Sequence, residues 1–144
     1  MPATDPIERM REGLVAVLDT DAGIVALTGR ANGNIVPWQD TVEPNTDPHI
    51  RYAVIAATRS GEQPGEFWRV ILQASAFASA GASETGALCE AIQAAATAAR
   101  FAALASPVDV HVTGLDRRGP FFEATPRLWR SDLDLAFLVK KSAA

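Results

Sequence analysis

Two histidines, one cysteine and a pair of carboxylates two residues apart are the side chains of this 144-residue chain with the chemistry to run a reaction. A metal site needs several such ligands to converge. His49 and His111 fall in separate candidate strands and Cys89 in a candidate helix, so their spacing assembles no ligand set. His49 reads as a strand opener and His111 as a solvated strand residue. Cys89 reads as a small packing residue, the usual place of a free cysteine. Asp132 and Asp134 point the same way along a strand, as an acid–base pair or a cation site would require. Their alternation with Leu133 and Leu135 accounts for them as the wet face of a half-buried strand. Ala82-Ser83-Glu84 offers neither the Gly-x-Ser-x-Gly elbow nor an adjacent base for a serine nucleophile. Gly29-Arg-Ala-Asn-Gly33 lacks the lysine of a phosphate-cradling loop, and its glycines fit a turn. No catalytic, cofactor or metal residue is assigned, and the chain reads as not an enzyme.

The elements around these residues account for most of the chain. Asp5-Pro6-Ile7-Glu8 is a helix start, with Asp5 as the cap, Pro6 in the first turn and Glu8 at capping-box spacing. Ile7, Met10, Leu14, Val17 and Leu18 then repeat at helical spacing. Gly13 weakens that helix by about 1 kcal/mol relative to Ala, unless it permits close packing. Asp21 to Thr28 predicts a second, short helix, with Ile24, Val25 and Leu27 inward and Gly29 as its left-handed stop. Gly29 to Pro48 is turn chemistry, in which Ile35-Val36 is a candidate short strand. His49 to Arg59 and Glu66 to Ala78 form a hairpin of long strands. Trp68, Val70 and Leu72 face one way on the second strand, and Phe67, Ile71 and Phe77 the other. A strand apolar on both sides is expected to be covered on both, once by the chain's own helices and once by a neighbouring subunit. After candidate caps at Ser79 to Ser83, one alanine-rich helix is expected to run to about Leu104, with Leu88, Ile92, Ala95 and Ala99 inward. Pro107 to Leu115 is a strand, Gly114 to Pro126 a polar connection, and Arg127 to Val139 a closing strand. That last strand sends Trp129, Leu133, Leu135, Phe137 and Val139 to one side. The order α-α-β-β-α-β-β, with strands clustered rather than alternating with helices, predicts an α+β fold. Its sheet is mostly antiparallel, with helices on one face.

Size and composition agree with one domain over residues 1–144, ending in a frayed tail at 141–144. Hydrophobic residues make up 48% of the chain, enough for a core without disulfides. The net charge of −4 is uneven. Residues 1–99 hold 6 Lys/Arg against 12 Asp/Glu, and residues 100–144 hold 7 against 5. This is either ordinary scatter or one acidic and one basic surface suited to head-to-tail contacts. No basic stripe marks a nucleic-acid grip. The single cysteine allows no internal disulfide. There is no signal-peptide pattern and no apolar run of the roughly 20 residues that a membrane helix needs. The expected location is the cytosol, or a particle assembled there.

Surface residues carry the remaining information. Trp38, beside Pro37 in the polar loop, is either a plug over the core edge or a partner contact. Gln39 to Asp47 contains Asp40, Glu43 and Asp47 and no Lys or Arg, and reads as an exposed acidic loop. Together with Glu62 and Glu66 around the hairpin turn, these are the candidate interface or lumen residues.

The opening helix with Asp21-Ala-Gly-Ile-Val-Ala-Leu-Thr-Gly29, the strand His49-Ile-Arg-Tyr-Ala-Val-Ile and the segment Phe67-Trp-Arg-Val-Ile-Leu-Gln-Ala carry a resemblance. So do the helix with Leu88-Cys-Glu-Ala-Ile92 and the closing Arg127-Leu-Trp-Arg-Ser-Asp-Leu-Asp-Leu-Ala-Phe. Over about residues 7–140 the chain resembles the tail terminator, or tail completion, proteins of long-tailed bacteriophages and phage-like gene-transfer particles. The resemblance implies a structural virion protein that forms a hexameric ring at the head-proximal end of the tail. Such a ring caps the tail tube, stops its polymerisation and offers the docking surface for the head-closing connector. The implied partners are further copies of itself, the tail tube protein and a head-completion or stopper protein. DNA is implied only as cargo passing through the lumen, with no membrane partner. The physical logic is that a tube grows through one repeated heterologous contact, so a ring with two unlike faces ends it. The alternatives are another head–tail junction component, or a small cytosolic α+β domain that binds a ligand or partner.

Overall fold

The computed structural model describes residues 5–30, 34–38, 48–60, 67–106, 108–123 and 127–141. Helix α1 spans Pro6–Thr20 and α2 Ala22–Thr28. Strands β1 (Ile35–Pro37), β2 (His49–Ser60) and β3 (Phe67–Ala78) follow, then α3 (Ala82–Ala96), α4 (Ala99–Ala105), β4 (Val108–Glu123) and β5 (Leu128–Lys141). Among the described residues the strands form one sheet in the order β1-β2-β3-β5-β4. β1 runs parallel to β2 and every other pair is antiparallel. The α+β class and the mostly antiparallel sheet agree with the sequence pattern.

The two N-terminal helices form as their caps dictate. The Asp5 carboxylate accepts from the Glu8 amide at 3.0 Å, and that of Asp21 from the Ile24 amide at 3.1 Å. Each cap offsets one of the unbonded donors at a helix start, worth about 1 kcal/mol. Gly29 closes α2 with φ 74° and donates to the Val25 carbonyl. In α2 the inward set is narrower than predicted. Ile24 and Thr28 are buried one turn apart, whereas Leu27 is 37% exposed on the outer side. A helix of seven residues has one buried stripe, and Leu27 lies off it.

The helices cover one face of the sheet. Met10, Leu14 and Leu18 of α1 and Leu88 and Ile92 of α3 share a buried cluster with Ile50, Leu72, Leu135 and Phe137. Each such side chain contributes about 1.5–3 kcal/mol. Gly13 has the packing role that its position suggested. A Cβ there would stand 2.9 Å from the Cα and N of Ala105, so α1 and α4 cross with almost no side chain between them.

The predicted single alanine-rich helix is two. α3 stops at Thr97, whose hydroxyl donates back to the Gln93 carbonyl at 2.9 Å, and Ala98 is extended at ψ 150°. The break re-aims α4 so that Phe101 is buried edge-on against Phe137, with ring centroids 5.7 Å apart. The cap of α3 is Gly81, with no side-chain hydrogen bond, rather than one of the serines. The predicted polar connection after Leu115 is also strand. β4 continues to Glu123 because the long β5 offers it a ladder as far as Leu128. Its register slips between Val112 and Gly114 and between Arg118 and Phe121, which absorbs residues that look like a loop in sequence.

Candidate functional site

Strand alternation gives the sheet two unlike faces. Trp68, Val70, Leu72, Ala74 and Ala76 of β3 turn toward the helices, in register with Val139, Phe137, Leu135, Leu133 and Ser131 of β5. The opposite face carries Arg51, Arg69, Ile71, Gln73, Ser75, Phe77, Arg130, Asp132, Asp134, Ala136 and Leu138, with no described helix over it. This is the face for which the sequence called for a second cover.

Its polar groups are held by one another. Ser75 is fully buried and donates to the Asp132 carboxylate at 2.6 Å. The Arg130 guanidinium lies 3.2 Å from the same carboxylate, off the line of a good hydrogen bond, and also pairs with Glu123. Arg118 bonds Asp134 at 3.1 Å. Asp132 is therefore not the wet residue that alternation predicted: it is 6% exposed, because Arg130, folded over the Phe121 ring, lies beside it. A buried carboxylate persists only when paired and hydrogen-bonded in this way.

A second group closes the corner beside β1. The His49 and Phe77 rings stack at 4.9 Å, and Trp38 meets Phe77 edge-on at 5.7 Å. Arg51 reaches over both Trp38 and Phe77 and donates to the Trp38 carbonyl at 2.9 Å. Trp38 is thus half-buried against Phe77 and Arg51 on the open face. Further along the same face, past Asp134, lies a shallow cleft of about 270 Å³ whose lining includes Arg69, Ile71, Thr113, Ala136 and Leu138. Ile71 is 37% exposed there.

The margins of the sheet are also unusual. β1 pairs with β2 only from Ile50 to Tyr52, and the Trp38 amide adds one bond to the Tyr52 carbonyl. Beyond that point β2 has no described neighbour on its outer side, and neither has β4 along its length. Among the described residues six large apolar side chains are exposed, and four of these stand on the two marginal strands: Ile55 on β2, and Leu115, Phe121 and Phe122 on β4.

Of the sequence candidates, only Trp38 falls within the described residues; Asp40, Glu43, Asp47, Glu62 and Glu66 lie outside them. Trp68 and Trp129 stand on the helix-facing side. His49 opens β2 and is buried, while His111 is exposed on β4. Cys89 packs in the core, where burial pushes its thiol up to about 11. No group of three or more His, Cys, Asp or Glu gathers as metal ligands among the described residues. The sequence reading missed the Ser75–Asp132–Arg130 group. Its signal was present, since Ser75 breaks an otherwise apolar run opposite a charged position of β5.

The polar and aromatic groups on this face pack against one another. The family model described as "Tail completion protein gp17" matches residues 12–140. A chain from a solved structure titled "Virion of native gene transfer agent (GTA) particle" shares the fold, with a TM-score of 0.68 at 13% identity. The alignment covers 96% of this chain and 99% of that one. No curated protein matches the sequence. The chain belongs to the gp17 tail completion protein family and is a structural protein of a phage-type tail.

Proposed function

We propose that this protein forms a ring, as a hexamer, that caps the tail tube at its head-proximal end. The ring ends tube polymerisation and presents the surface on which the head-closing protein docks. Family membership over residues 12–140 is the observation that carries this reading. The physical support is the sheet face that has no described helix over it and the exposed apolar side chains Ile55, Leu115, Phe121 and Phe122 on both margins. Repeated contacts around a ring multiply weak interfaces into a stable cap. The described open face carries as many acidic as basic side chains, so it lacks the basic stripe that would hold passing DNA by its phosphates. Asp40, Glu43 and Asp47 are assigned to the lumen or the tube-facing rim. Trp38, Glu62 and Glu66 are assigned to contacts with neighbouring subunits or with the tube and connector.

Deleting the gene and measuring tails by electron microscopy tests the reading. Overlong tails without attached heads are expected. Tails of normal length that fail to join filled heads would instead make this chain a connector or stopper. Normal tails joined to filled heads would remove it from tail completion altogether.

A further inference from the structure

The two margins of the sheet that have no described neighbour fit each other. β1 and Trp38 cover the outer side of β2 as far as Tyr52, which leaves Ala53–Ser60, a run of eight residues. On the other margin Asp109–Asp116 of β4 is also a run of eight. Each run contains one irregularity, and both sit at the same level of the sheet. The slip in β2 lies between Val54 and Ala56, opposite Leu72 and Ile71. The slip in β4 lies between Val112 and Gly114, opposite Phe137 and Ala136, and these β5 residues are beside Val70 and Ile71. Lay the two runs antiparallel with Ala53 beside Asp116 and Ser60 beside Asp109. Val54 then meets Leu115, Ala57 meets Val112 and Arg59 meets Val110 on the helix side. Thr58 meets His111 on the open side. The extra residues Ile55 and Thr113 flank the Ala56–Gly114 pair, one on each strand, so the register they shift is restored on its far side. The direction is also right, because β2 and β4 run oppositely within the sheet.

Charge agrees with this pairing. β2 and β3 carry Arg51 and Arg69 on the open face and no acid there, while Arg59 turns to the helix side. β4 carries Asp109 and Asp116 on the open face, and Asp116 stands opposite Asp134, which has Arg118 as its described ion-pair partner. None of the described ion pairs uses Arg69, Asp109 or Asp116. Long margins without a described neighbour, with exposed Ile55 and Leu115, invite pairing with another chain, and no lysine or proline blunts these two runs.

Resting on the ring reading above, we infer that adjacent copies join by antiparallel pairing of Ala53–Ser60 on one copy with Asp109–Asp116 on the next, giving one continuous sheet around the ring. The contact is heterologous, since each copy offers one margin and receives the other, so it builds a ring and not a two-fold dimer.

Paired cysteines test the register. Residues directly opposite in an antiparallel pair have Cα atoms about 4.5–5.5 Å apart, within disulfide reach. Thr58→Cys and His111→Cys are both exposed changes, while the native Cys89 is buried out of reach. Particles carrying the double variant are purified, oxidised and run on a denaturing gel without reductant. The expected result is a covalent ladder of this chain up to the ring, and no ladder from either single variant. If the chain is present in particles with tails of normal length but runs as a monomer after oxidation, edge pairing is overturned and the ring reading stands. If the chain is missing from purified particles, the proposed function itself is overturned. Ile55→Lys is the second probe. It is expected to lower incorporation into particles at least tenfold while the free chain keeps its circular dichroism and melting temperature. Wild-type incorporation of this variant would also count against the pairing.

Discussion

The same substitution is expected to act with opposite sign in two helices. Gly13 lies inside α1 and Gly86 inside α3. In an isolated helix Gly→Ala gains about 1 kcal/mol at either place, because alanine loses less backbone freedom on folding. At Gly13 the new Cβ meets the Cα and N of Ala105 at 2.9 Å and its Cβ at 3.0 Å. These atoms belong to a second helix and have no rotamer to escape to. α1 and α4 must move apart by about half an ångström, and overpacking of that kind costs about 1–3 kcal/mol. At Gly86 the obstacle is the Arg117 guanidinium nitrogen at 2.6 Å, the far end of a flexible, exposed side chain. It swings away at little cost. Gly13→Ala is therefore expected to lose about 1 kcal/mol net and Gly86→Ala to gain up to about 1 kcal/mol. Urea unfolding followed by tryptophan fluorescence reads both as shifts of the midpoint with unchanged slope. Equal stabilisation by both variants would refute the close crossing of α1 and α4.

Three other outcomes follow from the geometry. Ser75→Ala leaves the buried Asp132 carboxylate without its 2.6 Å donor, so a loss of about 1–3 kcal/mol in the same unfolding assay is expected. The Cys89 thiol, raised by burial from 9.0 to about 11, is expected to resist thiol reagents at neutral pH until the chain unfolds. Both folded and unfolded thiols are protonated below pH 9, so Cys89 makes no pH dependence there. Above pH 9 the unfolded thiol ionises first, and this contribution to stability falls as pH rises toward 11, a slope that Cys89→Ser is expected to abolish in a pH series of melts. Replacing Asp40, Glu43 and Asp47 together with Asn is expected to reduce infectious or transducing particle yield; an unchanged yield would remove these acids from the lumen or tube rim.

By itself, the sequence determined what is local or periodic. Asp5 and Asp21 cap their helices because a carboxylate three residues ahead of a free amide needs no distant help. The alternation in β3 and β5 assigned core and open faces correctly, since a strand turns successive side chains to opposite sides wherever it lies. Of the apolar residues on the second face of β3, Ile71 is exposed, whereas Phe77 is buried under Trp38 and His49, which come from distant segments. What depended on partners distant in sequence was decided only by the tertiary structure. The break at Thr97 follows from the demand to bury Phe101 on Phe137, 36 positions away. Gly114 to Glu123 is strand because β5 is there to pair with it. Asp132 is buried because Arg130 and Ser75 converge on it, although its alternation with leucines reads as solvent-facing. The two marginal runs, with bulges at nearly the same level of the sheet, are likewise properties of strand order, which no single stretch of residues encodes.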